Sequence, residues 1–313
     1  MELIRAIVLG IVQGLTEFIP ISSTAHLRLV PALFGWPDPG SAFTAVIQLG
    51  TLLAVLIYFR DDLGAALMGW LRGLKGGEAA KTLDARMGWA IFIGTLPIIV
   101  LGVAFKHPIE TKLRSLEIIG WSLIGMGLLM LVADRTGKQE RKLKSMTLLD
   151  GVVVGLWQAV ALIPGASRSG STITGGLFAG FTREAAARFS FLLSVPSVFA
   201  AAVFELYKYR HDFGGDLLMP AIVANIFSFI FGYLSIGFLI KFLQTRSVAV
   251  FVGYRFVLGA VILFLVMTGR VDPMTGADQP TEKAANASVM QSASAHPNAL
   301  PMSSGPPLRG IRG

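Results

Sequence analysis

Six stretches of this chain, residues 42–59, 87–105, 118–133, 189–204, 217–240 and 256–269, contain no charged side chain and are strongly apolar. A lipid-exposed span needs about 20 such residues in a helix, because only a helix satisfies its own backbone N–H and C=O groups where water is absent. The last stretch reaches that length by starting near Val248 and carrying Arg255 inside it. Composition agrees, with 53% of the residues hydrophobic and 15% charged, against about 45–50% and about 25% in soluble domains. The absence of cysteine excludes disulfide staples, thiolate metal sites and a cysteine nucleophile. A net charge of +8 in such a chain belongs in cytoplasmic loops, and no nucleic-acid partner is expected. The first apolar run, 6–16, is short, lies between Glu2 and Glu17, and has no small-residue cleavage site, so it is expected to belong to the folded protein.

Two further apolar segments are interrupted. Residues 2–37 break at Phe18-Ile-Pro-Ile-Ser-Ser-Thr24, and residues 150–180 break at Ile163-Pro-Gly-Ala-Ser-Arg-Ser169. Each half is too short to cross a bilayer, and exposed backbone at membrane depth is tolerated only inside protein or along a water-filled cavity. Both segments are therefore expected to be re-entrant hairpins. Gly10-Ile-Val-Gln13 parallels Gly155-Leu-Trp-Gln158, Pro20 parallels Pro164, and Phe43 parallels Phe189 at an offset of 146. The expected fold is an all-α polytopic membrane protein: six transmembrane helices plus two re-entrant helical hairpins arranged as an inverted repeat. Its units would be 1–136 and 137–270, each one hairpin and three spans, with the hairpins facing each other near the midplane. Residues 271–313, rich in Ala, Ser, Pro, Met and Gly, are expected to be a disordered tail.

The connections at 60–87, 134–150, 182–188 and 241–249 hold 5, 5, 2 and 2 Lys/Arg, while 106–117 and 208–216 hold 3 and 2. The first group is expected on the cytoplasmic side, leaving both termini periplasmic.

Ionisable residues inside a bilayer are costly and default to functional hypotheses. The first break carries Glu17 and His26 with Gln13 and Ser22-Ser23-Thr24; the second carries Arg168 between Ser167 and Ser169, followed by Ser171, Thr172 and Thr174. Gln13 and Glu17 share a helix face, and His26 follows Ser22 and Ser23 by one turn. Pro20 ends one half-helix and the hydroxyls after it can cap the next. Two helix N-termini, an arginine and many hydroxyls make an anion site, with phosphate the best match. A serine beside a histidine adds a nucleophile and its base. A substrate that reaches such a site from the membrane would be a lipid phosphate. Simpler readings exist: Ser171 and Thr174 are expected to bond their own helix carbonyls, and Glu17 with Arg168 could be an ion pair that merely joins the halves. Arg255 either snorkels or serves as a second phosphate ligand.

Gln13-Gly-Leu-Thr-Glu-Phe-Ile-Pro-Ile-Ser-Ser-Thr-Ala-His26 closely resembles the first signature, (E/Q)GxTEFLPVSSTGH, of the bacterial undecaprenyl-diphosphate phosphatases, the bacitracin-resistance family. Pro164-Gly-Ala-Ser-Arg-Ser-Gly-Ser-Thr172 resembles the second, PGxSRSxxT. The resemblance covers roughly residues 1–270 and implies removal of the terminal phosphate from undecaprenyl diphosphate, which recycles the lipid carrier for peptidoglycan synthesis. Bacitracin would enter only indirectly, through the shared substrate. The resemblance also implies an inner-membrane, multi-pass protein with its site facing the periplasm. By motif position, Glu17, Ser23, His26 and Arg168 would be catalytic. Gln13, Ser22, Thr24, Ser167, Ser169 and Thr172 would bind substrate, and Glu17 would hold a divalent cation, Mg²⁺ or Ca²⁺. Departures are Gln13 where many relatives carry Glu, Ala25 where Gly is usual, and Ala166 for a larger residue. In the mechanism expected from these residues, His26 takes a proton from Ser23, which attacks phosphorus; in the rival, His26 activates water. A lipid-phosphate flippase on the same architecture is the alternative function, and the chain is compatible with a homodimer.

Overall fold

The computed structural model describes residues 2–36, 40–110, 113, 115–208 and 218–274. The described residues belong to one compact unit. The expected tail, from residue 275 onward, lies outside the described residues, as do His211 and His296.

Twelve α-helices and no strand occur among the described residues. The first broken segment gives α1 (Glu2–Glu17) and α2 (Ser23–Phe34), and the second gives α8 (Leu148–Val160) and α9 (Arg168–Phe178). Spans were expected at α3 (Gly40–Tyr58), α5 (Leu83–Ala104), α7 (Leu116–Thr136), α10 (Arg183–Lys208), α11 (Leu218–Thr245) and α12 (Ala249–Met267), and each is a helix. The remaining two are α4 (Arg60–Gly73) and the short α6 (Lys106–Glu110). Five helices, α5, α7, α10, α11 and α12, are each long and apolar enough to cross a bilayer, and α3 with α4 makes a sixth candidate. Their outer surfaces expose Val103, Trp121, Phe238 and Val257, as lipid-facing helices do. This is an all-helical, multi-pass membrane protein.

The segment 60–87 is more than a connection. α4 leaves α3 at a bend of 79° and buries Ala66, Gly69 and Gly73, while Leu67, Met68 and Leu71 stay exposed. Trp70 stacks with Phe92 and meets Trp89 edge-on, at ring separations of 5.7 and 5.8 Å. Searching for uncharged runs overlooks this helix, because Arg60, Asp61, Asp62 and Arg72 stand at its two ends. Its start meets the other charged connections. One cavity of about 540 Å³ is lined by Asp62, Asp84, Lys142, Lys144, Glu184 and Gln244, among others, so all four Lys/Arg-rich connections share one end of the helix bundle.

Helix pairing follows a duplicated scheme. α1 packs on α11 and α8 packs on α5, while α3 pairs with α10 and α7 with α12. The contacts are matched residue by residue. A Cβ on Gly10 would collide with the backbone of Ala224 in α11, and a Cβ on Gly155 would collide with the backbone of Gly94 in α5. Small residues are what lets helices approach this closely in a membrane. Three residues beyond each glycine lies a fully buried glutamine. Gln13 Nε2 donates to Thr51 at 3.5 Å, and Ser197 donates to Gln158 Oε1 at 3.2 Å; Thr51 and Ser197 are again 146 apart. Gly155→Val is expected to destabilise the protein by about 1–3 kcal/mol or to prevent its accumulation, since backbone cannot yield as a side chain can. Thermal unfolding in detergent checks this, with the α4 substitution Gly64→Ala, in open space, as the neutral control.

Candidate active site

The two chain breaks meet at one place. α1 ends at Glu17, and Pro20 lies in the turn before α2; α8 ends at Val160, and Pro164-Gly165 lies in the turn before α9. The residues that start the second arms, Ser22 and Ser167, both adopt left-handed backbone, with φ of 73° and 71°. Such φ in a non-glycine residue is sparsely populated and persists only where surrounding structure enforces it. Ser167 caps α9 by accepting from Gly170 N–H at 3.2 Å. Ser22 was expected to cap α2 in the same way, but it makes no side-chain cap bond, so the first N–H groups of α2 have no hydroxyl cap.

Between the breaks, Arg168 Nη2 donates to Glu17 Oε1 at 2.8 Å, and Ser23 Oγ donates to Glu17 Oε2 at 2.7 Å. Gln13 Nε2 also donates to Oε2, at 3.0 Å. The Glu17–Arg168 pair thus does join the two halves, yet the arginine is only half used: its Nη1 is buried with no hydrogen-bond partner. Glu17, Ser22, Ser23, Thr24, Ser167 and Arg168 line a cavity of about 300 Å³, with Gln48 and Ser197 adding polar groups and Ile98, Leu162, Val198 and Ala201 an apolar wall. A polar end beside an apolar wall suits an amphiphile whose head is anionic.

Other expected residues stand elsewhere. Ser23 bonds Glu17, and His26 takes other partners: Nδ1 meets the Ser22 carbonyl oxygen and Nε2 the Tyr254 hydroxyl, each at 2.7 Å. His26 does not line the cavity. Thr172 is fully buried and bonds the Arg168 carbonyl and Ser190, bracing α9 against α10. Ser169 is buried, sharing a 3.2 Å contact with Ser167 Oγ. Thr174 bonds the Gly170 carbonyl as expected, whereas the buried Ser171 hydroxyl has no partner.

Arg255 corrects both of its readings. It is fully buried, so it neither snorkels nor reaches a phosphate in the cavity. Its guanidinium donates to the carbonyls of Pro20, Gly165 and Ala166 in the two breaks and of Ser122 and Leu123 in α7, at 3.1–3.3 Å. Those break carbonyls follow the C-terminal, negative ends of α1 and α8, where a cation is favoured. Sequence reasoning passed over Gln48, Ser197 and Tyr254. The two polar side chains inside apolar stretches were a usable signal; the tyrosine contact, which closes 228 residues, had none.

No cluster of three or more His, Asp or Glu side chains among the described residues makes a cation cage. Glu17 is the one carboxylate on the cavity, and Gln13 Oε1, on the amide that bonds it, is buried without a partner. A single carboxylate fits a cation that takes the rest of its shell from phosphate oxygens and water.

Residues 6–261 match the family described as Bacitracin resistance protein BacA. A protein of Chlorobaculum tepidum named undecaprenyl-diphosphatase is 51% identical over 282 residues, covering 87% of this chain and all of its own length. Proteins of the same name from Myxococcus xanthus and a Nocardioides species are 50% and 52% identical, covering 89% and 86% of this chain and 94% and 98% of theirs. Similarity this extensive places the chain in the bacitracin resistance protein BacA family.

Proposed function

We propose that this protein is a membrane phosphatase that hydrolyses undecaprenyl diphosphate to undecaprenyl phosphate and inorganic phosphate. The observation that carries this is the half-used arginine: Arg168, paired to Glu17 across the two breaks, leaves a buried N–H group unpartnered beside a cavity with one polar and one apolar wall. The relatives above are named for this hydrolysis and none as a carrier, which favours it over a flippase. The broken helix pairs are read as re-entrant and inverted with respect to each other. The shared end holding α4 and the Lys/Arg-rich connections is read as cytoplasmic, with the site and both termini towards the periplasm of the inner membrane.

Arg168 and the uncapped N–H groups of α2 hold the terminal phosphate and stabilise charge that builds as the bond breaks. Ser23 attacks phosphorus, passing its proton to Glu17, the group it already bonds. Undecaprenyl phosphate leaves. Water then cleaves the phosphoserine: Glu17 returns its proton to Ser23 Oγ, and His26, one turn beyond Ser23, takes the proton that the water gives up as its Nε2 parts from Tyr254. Mg²⁺ or Ca²⁺ held by Glu17 would neutralise charge on the diphosphate.

The test is phosphate release from undecaprenyl diphosphate by purified protein in detergent, with either cation added. Wild type is expected to turn over, and Ser23→Ala to lose about 10³-fold or more. His26→Gln should accumulate phosphate on Ser23, detectable by mass spectrometry. Substantial turnover in Ser23→Ala would instead mean direct attack by water. Lipid binding by wild type without phosphate release would sink the phosphatase reading and favour a carrier.

A further inference from the structure

Most polar side chains on the cavity wall stand at the two breaks; Gln48 of α3 and Ser197 of α10 do not. Their hydrogen bonds set these two apart. The Ser197 hydroxyl directs its one hydrogen to Gln158 Oε1 at 3.2 Å and the Ser194 carbonyl oxygen at 3.0 Å, so towards the cavity it can only accept. The Gln48 side chain has no hydrogen-bond partner among the described residues, and both of its amide hydrogens are free to be donated. An amide inside the uncharged run 42–59 is costly at membrane depth unless the cavity supplies it with a partner. Gln48 stands one helical turn before Thr51, whose hydroxyl donates to the Gln48 carbonyl oxygen at 2.9 Å and lies 3.5 Å from Gln13 Nε2. That same Nε2 donates to Glu17, so Gln48 and Glu17 face one cavity from the neighbouring helices α3 and α1.

We propose that Gln48 binds the phosphate that stays on the lipid: its Nε2 donates to a non-bridging oxygen of the inner phosphoryl group while Arg168 holds the terminal one. This rests on the phosphatase reading given above. A diphosphate presents two anionic groups one bridging oxygen apart, and the donors at the breaks are taken by the terminal group. The inner group needs a donor that stands outside the breaks, and Gln48 is the one the cavity offers. When the bond to the terminal phosphorus breaks, the bridging oxygen and its electron pair stay with the inner group. The lipid left behind is a monophosphate. It can fill the Arg168 position or the Gln48 position but not both, so fewer bonds hold it than held the diphosphate. The two positions together therefore select a lipid diphosphate and let the monophosphate product go.

Gln48→Leu and Gln48→Met remove the amide and suit an apolar span, so both variants should unfold at the wild-type temperature. Titration calorimetry of the purified full chain in detergent, with Mg²⁺ present, uses two probes. One is inorganic phosphate. The other is an undecaprenyl diphosphate analogue with a methylene group in place of the bridging oxygen, which cannot be cleaved. Each variant should bind the analogue about tenfold or more weakly, the size of one lost hydrogen bond to a charged group, and inorganic phosphate within about twofold of wild type. In the turnover assay, kcat/KM for undecaprenyl diphosphate should fall by the same factor as the analogue's affinity. Wild-type affinity for the analogue in either variant overturns the proposal. An equal loss for inorganic phosphate overturns it too, by putting the amide on the terminal phosphate. Calorimetry involves no cleavage, so a wild type that released no phosphate would sink the phosphatase reading by itself. The two affinities would then still decide whether Gln48 holds the inner phosphate.

Discussion

Arg168→Leu is expected to lower phosphate release by about 10³–10⁵-fold, the range seen when an arginine that stabilises phosphoryl-transfer charge is removed. Stability should fall as well, because Glu17 is left buried without its partner, and breaking one side of a buried pair costs about 3–5 kcal/mol. These two effects must be separated, since an ion pair that only joined the hairpins would also fail when cut. The double variant Glu17→Gln, Arg168→Leu separates them. Both charges are gone, so no unpaired carboxylate remains, and thermal unfolding should return close to the wild-type temperature. Turnover should stay absent. A double variant that folds and works would reduce the pair to a strut between the two breaks. Arg168→Lys is the finer probe: an ammonium can keep the Glu17 contact at 2.8 Å, but it lacks the second arm of the fork that reaches onward. Its turnover should fall about 10²-fold with stability intact.

Arg255→Met is expected to be strongly destabilising. One guanidinium holds five carbonyl oxygens, three of them from breaks that lie outside any helix. Each buried acceptor left unsatisfied costs about 1–3 kcal/mol, so the three break carbonyls alone amount to about 3 kcal/mol or more. Methionine fills much of the volume but donates nothing. Arg255→Lys keeps the charge but has three donors on one atom, and should recover only part of the loss. Thermal unfolding in detergent reads the stability, and limited proteolysis across 161–167 reads whether the second break has loosened. A wild-type unfolding temperature in Arg255→Met would show that the breaks hold their shape without it.

Much of this architecture is legible in the sequence because lipid imposes simple demands. Uncharged runs must be helices, and the six expected stretches each coincide with one of the six long helices, overrunning its ends by at most two residues. Proline beside hydroxyls marked both breaks, and Gly10, Gln13, Gly155 and Gln158, which stood out as parallel positions, make comparable close helix contacts. What stayed hidden depends on long-range geometry. The hydroxyl of Ser23 had two acceptors within sequence reach, Glu17 and His26, and only the turn at Ser22 decides between them. Thr172 looked like a phosphate contact by motif position, but α9 rotates it onto Ser190. Arg255 looked anomalous in an apolar run because its five partners come from three separate parts of the chain.

The exchange of partners between the two halves also bears on the order in which the protein can be made. α8 docks on α5, which is already synthesised when α8 emerges. α1 docks on α11, which begins about 200 residues after α1 ends. At a ribosomal rate of about 5–20 residues per second, the first hairpin waits roughly 10–40 s for the surface that Gly10 and Gly14 fit. Glu17 lacks its partner until Arg168 is made, and Gln13 and Glu17 lack α11 for the whole interval. The α1–α2 pair thus leaves the ribosome well ahead of the helix that covers it, so a chain stalled before α11 would present it as an unfinished surface to the membrane's quality-control proteases.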